Sequence, residues 1–196
     1  MNQELQDNNY MDQLNNYIVI LKNIVPQELC NTILKEYADS NEWVQTGIGK
    51  NGTPNLELRN CHTIEMSQPF IINESKLRRS IDAEIFNCAG NCIQEYNNQF
   101  PHAHIAEDTG YELLRYTEGQ FYIQHVDSFL QAPRLISCSF ALNDNYEGGE
   151  FAFFDRELKY KLNQGDVIMF PSTFMYPHEI MPVTKGTRYS IITWFR

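Results

Sequence analysis

After Ile105 the chain breaks into short β-prone runs separated by turn signals, and nothing else in it limits the fold so strongly. The runs lie near residues 111–116, 120–127, 134–142, 149–155, 158–162, 166–170, 178–183 and 188–195. Aromatic and β-branched residues fill them. Gly148-Gly149, Asn163-Gln164-Gly165 and Lys185-Gly186 supply turns between them. Eight short strands following helices predict an α+β, mainly β fold: a double-stranded β-helix, or jelly roll, with supporting N-terminal helices on one face.

The N-terminal half supplies that support. Tyr17 to Ile24 reads as an early strand, and Pro26 suits the first turn of a helix. Over residues 27–40, Leu29, Ile33, Leu34 and Tyr37 form one helical stripe. Residues 44–60 are rich in Gly, Asn and Pro and read as a loop. A second helix is predicted from about Glu74 to Gln99, with Leu77, Ile81, Ile85, Cys88, Cys92 and Tyr96 on its apolar face. The expected organisation is a loose polar tail over 1–16 and one domain over 17–196. Within the domain, 17–105 is helical support and 106–196 the jelly-roll core. At 196 residues such a chain buries about two thirds of its unfolded surface.

Composition narrows the setting. A content of 42% hydrophobic and 13% aromatic residues is that of a packed protein. No run of ~18 apolar residues occurs, so no membrane helix is expected. The N-terminus lacks a basic-then-apolar signal segment. Cys30, Cys61, Cys88, Cys92 and Cys138 are odd in number and show no zinc-type pairing, which predicts free thiols in a reducing cytoplasm. The formal net charge of −10 argues against nucleic acid, which wants a basic face. A small molecule or a neutral-to-basic polypeptide fits it better.

The chemistry is concentrated in four residues. In GQFYIQHVDSF, positions two apart on a strand share a face, so His125 and Asp127 can hold one ion between an imidazole nitrogen and a carboxylate oxygen. His178 follows fifty-one residues after Asp127 and can complete two histidines and one carboxylate. That set leaves the opposite coordination positions open, as in non-haem Fe(II) oxygenases. A lone H-x-D arises readily by chance, and any single histidine is more often structural. The weight comes from the ordered combination of H-x-D, a distal histidine and, ten residues later, Arg188 opening the last strand. His62, His102 and His104 lie in loop-like segments outside the predicted strands and read as solvated or structural.

The stretches LLRYTEGQFYIQHVDSF, RLISCSFALNDNYEGGEFAFFD and NQGDVIMFPSTFMYPHEIMPVTKGTRYSIITWFR resemble the Fe(II)/2-oxoglutarate-dependent dioxygenase superfamily, and within it the prolyl 4-hydroxylase branch. The likeness is dense over Leu113–Arg196 and weaker before it. It implies that His125, Asp127 and His178 form the metal-binding and catalytic centre for Fe(II), with 2-oxoglutarate and dioxygen as cosubstrates and ascorbate as reductant. It further implies that Arg188 pairs with the 5-carboxylate of 2-oxoglutarate in a bidentate, charge-assisted contact. Tyr116, nine residues before His125, is either a cosubstrate-binding hydroxyl or a barrel-edge aromatic. Trp194 is core, a wall for a substrate proline, or both. Relatives with a second tyrosine in SCSFALN would carry it at Ala141, which leaves Arg188, Tyr116 and Ser190 to hold the carboxylate here.

The activity so implied is hydroxylation of a prolyl residue in a peptide or protein, with succinate and carbon dioxide as coproducts. Alternatives are a free amino acid or lysyl residue as substrate, a non-catalytic binding module on the same fold, a nucleic-acid demethylase, and a cupin-like metal protein that would leave Arg188 without a task. Two expectations concern local geometry. With Lys185-Gly186 as a two-residue hairpin, His178 would lie opposite Thr193. Strand alternation sends Tyr122 to the face away from His125 unless a bulge intervenes. The loop 44–60 and the segment Asp127–Arg134 are expected to flank the pocket mouth.

Overall fold

The computed structural model describes residues 11–47, 53–67 and 75–196. Two antiparallel sheets dominate it. The larger runs in the order β1 (Val19–Leu21), β11 (Val167–Pro171), β7 (Ile136–Ala141), β14 (Arg188–Phe195), β5 (Glu112–Tyr116), β4 (His62–Glu65) and β2 (Val44–Gln45). The smaller runs β10 (Leu158–Tyr160), β9 (Phe151–Phe153), β12 (His178–Ile180), β6 (Phe121–His125) and β3 (Arg59–Asn60). A short ribbon pairs β13 (Val183–Lys185) with β8 (Glu147–Gly148). The sheets face each other as a jelly roll, with helix α1 (Gln27–Tyr37) and helix α2 (Lys76–Gln99) covering the outer face of the larger one.

Alternation along the strands of the larger sheet divides the apolar residues between two cores. Leu113, Phe140, Val167, Met169, Ile191 and Phe195 point outward to the helices. They meet Leu29, Cys30, Ile33 and Tyr37 of α1 and Ile81, Ile85, Cys92 and Tyr96 of α2. Leu114, Tyr116, Ala141, Ile168 and Phe170 point inward and pack on Phe151, Phe153 and Ile180 of the smaller sheet. Phe153 meets Phe170 edge-on at 4.9 Å between ring centroids. The even-numbered residues of β14 look inward, so Arg188, Ser190, Ile192 and Trp194 face the smaller sheet together.

The helix boundaries have local causes. Ser75 caps α2 by accepting the Arg78 backbone N–H at 3.2 Å. Phe100 ends it ahead of Pro101. Leu77, expected on the apolar stripe, is 45% exposed. All five cysteines are free and buried. Among the described residues no helix is long and apolar enough to cross a membrane.

Several further expectations need correction. Residues 44–60 are not one loop: β2 and β3 bound the segment, and residues 48–52 fall outside the described residues. His62 is on β4, paired with Arg115 of β5, and not in a loop. Polar His62, Thr63 and Glu65 mask that strand, whose pairing comes from a partner far along the chain. Lys185-Gly186 joins strands of different sheets, so it is not a hairpin turn; Thr193 lies opposite Cys138, and His178 opposite His125 and Phe153. The loose tail expected over 1–16 extends beyond the described residues for 1–10. Residues 11–15 are helical, and the Leu14 carbonyl accepts from the Tyr176 hydroxyl at 3.1 Å.

Candidate metal centre

Adjacent strands β6 and β12 bring the two histidines together, and the residues after β6 turn Asp127 in beside them. One ligand atom each from His125, Asp127 and His178 lies within 4.8 Å of the others. Asp127 Oδ1 is 3.4 Å from His125 Nε2, and its Oδ2 is 3.6 Å from His178 Nε2. Each imidazole is oriented from behind by the carbonyl two residues earlier in the chain. Nδ1–H of His125 donates to the Ile123 carbonyl at 2.8 Å, and Nδ1–H of His178 to the Tyr176 carbonyl at 3.1 Å. With Nδ1 so engaged, both Nε2 lone pairs point into the gap between the residues, the tautomer a metal ligand needs.

The electrostatics point the same way. Burial pushes His178 down to about 4, and His125 beside it adds to the fall. Burial alone would raise Asp127, yet His178, His125 and the Ser137 hydroxyl together hold its carboxyl well below the usual range. Ser137 Oγ donates to Asp127 Oδ2 at 2.7 Å and also contacts Ser172 Oγ at 2.8 Å. A neutral His178 beside an ionised Asp127 is a ready donor set for a cation.

A cavity of about 330 Å³ opens from this centre between the sheets. Arg188, Tyr116, Ser190 and Trp194 line it with the three ligands. Arg188 is 3% exposed and donates to Ser190 Oγ at 2.8 Å. Its guanidinium carbon lies 5.3 Å from the Tyr116 ring centroid and 5.2 Å from that of Phe151. Among the described residues no carboxylate pairs with it. Arg188 is therefore not one half of a surface salt bridge at the start of its strand. A buried guanidinium without an anion is costly, so a cavity that holds one suits a ligand carrying a carboxylate. Gly149 (φ 66) lets this arginine sit where it does, since a Cβ there would lie 3.1 Å from Arg188 Cδ.

Tyr116 is Arg188's cross-strand neighbour and is buried, which raises its hydroxyl well above the ordinary value. Trp194 is 6% exposed, and the Arg134 guanidinium carbon stacks 3.3 Å from its ring centroid. Ala141 lies opposite Ser190 on β14 and contributes only a methyl group to the inner core.

Tyr122 departs from simple alternation. The β12–β6 ladder shifts register, pairing His178 with His125 but Ile180 with Tyr122. Two residues on one strand thus span three on the other, as in a bulge. Tyr122 therefore reaches the cavity and stacks on His125, with ring centroids 3.5 Å apart and planes 17° from parallel. Arg59, Glu112 and Arg134 also line the cavity, and no motif marked them. Arg134 ends the segment expected at the mouth, while Arg59 is on a two-residue strand hidden in a polar stretch.

Comparison with known proteins gives a consistent picture. Residues 111–196 match the profile of the 2OG-Fe(II) oxygenase superfamily. A PKHD-type hydroxylase of Idiomarina loihiensis is 37% identical over 86 residues, which cover 41% of this chain and 38% of that protein. One from Picosynechococcus sp. is 40% identical over 86 residues, covering 41% and 38%. The matched stretch thus spans well under half the length of these curated relatives. Among solved structures, a Trichoplax adhaerens prolyl hydroxylase, in complex with a hypoxia inducible factor oxygen degradation domain peptide fragment, superposes with a TM-score of 0.77 at 20% identity, covering 98% of this chain and 91% of that one. A Pseudomonas putida prolyl-4-hydroxylase gives 0.72 at 18% identity and 92% of each chain. At such identities the structural likeness establishes the fold.

Proposed function

We propose that this chain, whose residues 111–196 match the 2OG-Fe(II) oxygenase superfamily profile, is an Fe(II)- and 2-oxoglutarate-dependent dioxygenase that hydroxylates a C–H bond, with a prolyl residue of a peptide or protein as its substrate. The observation that carries the reading is a buried, anion-less Arg188 sharing one cavity with a two-histidine, one-carboxylate cluster. A metal site alone would leave Arg188 unexplained. A carboxylate-binding pocket alone would leave the triad unexplained.

In this reading His125, Asp127 and His178 are the residues that would hold Fe(II). Bound there with 2-oxoglutarate and dioxygen, the iron supplies the oxidising chemistry, with succinate and carbon dioxide as coproducts. The protein's part is positioning and exclusion of water. Ser137 and the Ile123 and Tyr176 carbonyls fix the ligands before any metal arrives, so little is lost in ordering them. Arg188, steadied by Ser190 and Tyr116, would receive the 5-carboxylate of 2-oxoglutarate, and two parallel N–H donors define its orientation. The Phe151 ring lies against Arg188, and Ile192 adds apolar wall to the same cavity. Trp194, held flat under Arg134, is the proposed wall against a pyrrolidine ring. The prolyl hydroxylases among the structural neighbours support peptide proline as the substrate class.

The test is succinate formation with Fe(II), 2-oxoglutarate and ascorbate, with and without proline-containing peptides, read alongside peptide mass. Stimulation by peptide and a gain of sixteen mass units on proline are expected. Arg188→Ala should raise the 2-oxoglutarate requirement on the order of a hundredfold, since it leaves a buried carboxylate unpaired at ~2–3 kcal/mol. Oxidation confined to lysine or free amino acids would overturn the prolyl assignment alone. Absence of any 2-oxoglutarate turnover would overturn the whole reading.

A further inference from the structure

The hairpin between β9 and β10 carries three consecutive residues in the left-handed region, none of them glycine: Phe154 (φ 51), Asp155 (φ 54) and Arg156 (φ 72). Left-handed residues usually occur singly and favour Gly, Asn or Asp. A run such as this persists only where its surroundings hold it. Each of the three side chains engages a residue connected to a histidine of the metal centre. The Phe154 ring lies 6.0 Å from the ring of Tyr176, whose carbonyl accepts from His178 Nδ1. Asp155 Oδ1 accepts from Gln124 Nε2 at 2.9 Å, and Gln124 immediately precedes His125. Arg156 donates to both oxygens of Glu179, at 2.6 and 3.1 Å, and Glu179 immediately follows His178.

Gln124 and Glu179 alternate away from the ligand face, so the turn grips the two ligand strands from the back of the sheet. It does so across the β6–β12 ladder, where the register shifts. An irregular ladder fixes the relative position of its strands less firmly than a regular one. Glu179 is 8% exposed, while the Arg156 side chain is 56% exposed, so the fork reaches from the solvent side onto a buried carboxylate.

We propose that residues 154–156 form a clip that holds β6 and β12, and through them the His125 and His178 imidazoles, at the spacing a metal ion requires. Asp155 and Arg156 are positioning residues acting through Gln124 and Glu179. The strain of the turn is maintained because the clip presets the metal centre. The inference rests on the metal-centre reading above.

The experiment is anaerobic titration of the full chain with Co(II) alone, followed by its visible absorption, with thermal unfolding measured in parallel. The informative variant is Asp155→Gly/Arg156→Gly, which removes both grips while giving the backbone residues that tolerate positive φ. We expect Co(II) affinity to fall about tenfold while the metal-free melting temperature holds or rises. A turn with a merely structural role gives the opposite pattern, a stability change with unaltered Co(II) affinity, and that result overturns the clip. Arg156→Gly alone should shift affinity in the same direction by less. It decides the matter if the double variant proves unstable, with unchanged affinity again overturning the clip. Removing an exposed pair elsewhere, Glu147→Ala/Lys185→Ala, should leave Co(II) binding as in the wild type. Failure of the reading beneath looks different. Wild-type protein that takes up no Co(II), or His178→Ala that takes it up equally well, overturns the metal centre and the clip with it.

Discussion

His178 donates its Nδ1–H to the Tyr176 carbonyl and lies 3% exposed under Phe153 and Phe170, so protonating it places a charge where water cannot follow. The sign of its effect on stability is fixed by that burial. Its folded value is pushed down to about 4 from an ordinary 6.5, so below 6.5 the unfolded chain binds a proton that the folded chain refuses. Stability of the metal-free protein should therefore fall as pH drops from about 6.5 to about 4, by about 3 kcal/mol from this residue. Asp127, held low, loses its contribution only in stronger acid. The measurement is the urea midpoint of chelator-treated protein against pH, compared with His178→Leu, which shares every other titrating group. A wild-type curve no steeper than the variant's across that window would remove His178 from the account. At this scale much is legible in the sequence. H-x-D, the distal histidine and Arg188 converge on one cavity, and their order and short spacings are visible in the chain itself, although Asp127 lies just past β6 and strand pairing brings His178 to His125. Arg59, Arg134 and Tyr122 are not legible there, since arginine and tyrosine are common on any surface and only the fold tells which of them faces inward.

Among the elements, β14 illustrates what periodicity can and cannot reveal. Its alternation correctly gathers Arg188, Ser190, Ile192 and Trp194 on one face. It carries no information about which sheet faces them, and reading Lys185-Gly186 as a hairpin puts His178 beside the wrong strand. In a jelly roll, consecutive strands cross between sheets, so nearness in sequence misleads about pairing. β4 escapes a sequence reading for a related reason, because its partner β5 begins forty-seven residues after it ends. The Gly148-Gly149 pair, read as a turn explained by backbone geometry alone, has a second role visible only in three dimensions. Gly149 combines a φ of 66 with close approach to Arg188 Cδ, Tyr146 and Val183, each 3.1 Å from where a Cβ on its backbone would stand. Gly149→Ala should therefore cost about 1–2 kcal/mol of stability from the left-handed conformation. It should also displace Arg188, raising the 2-oxoglutarate requirement several-fold while Co(II) affinity stays unchanged. Equal loss of cosubstrate and metal binding in that variant would show general loosening of the sheet instead.

Taken as a whole molecule, the chain combines opposite electrostatic characters at two ranges. A formal charge of −10 attracts cationic partners from a distance. The cavity is locally different, because Arg59, Arg134 and Arg188 line it with only Glu112 and Asp127 as acidic counterweights among its lining residues. Arg134 is already engaged with the Asp127 carbonyl at 3.1 Å and with the Trp194 ring, so its charge is fixed beside the proposed substrate wall. Screening separates the two ranges, since exposed charges act over about 8–10 Å at ordinary salt. A peptide substrate should thus gain from lysine or arginine placed well away from its proline and lose from one directly beside it. The measurement is kcat/KM for paired peptides with lysine either free or acetylated, at both positions and over a range of KCl. Acetylation of the distant lysine should slow turnover at low salt, with the difference shrinking as KCl is added. Acetylation of the adjacent lysine should speed turnover, with less dependence on salt because the contact is partly buried. If acetylation at both positions acts in the same direction, net charge alone governs recognition and the arginines lining the cavity have no part in selecting the peptide.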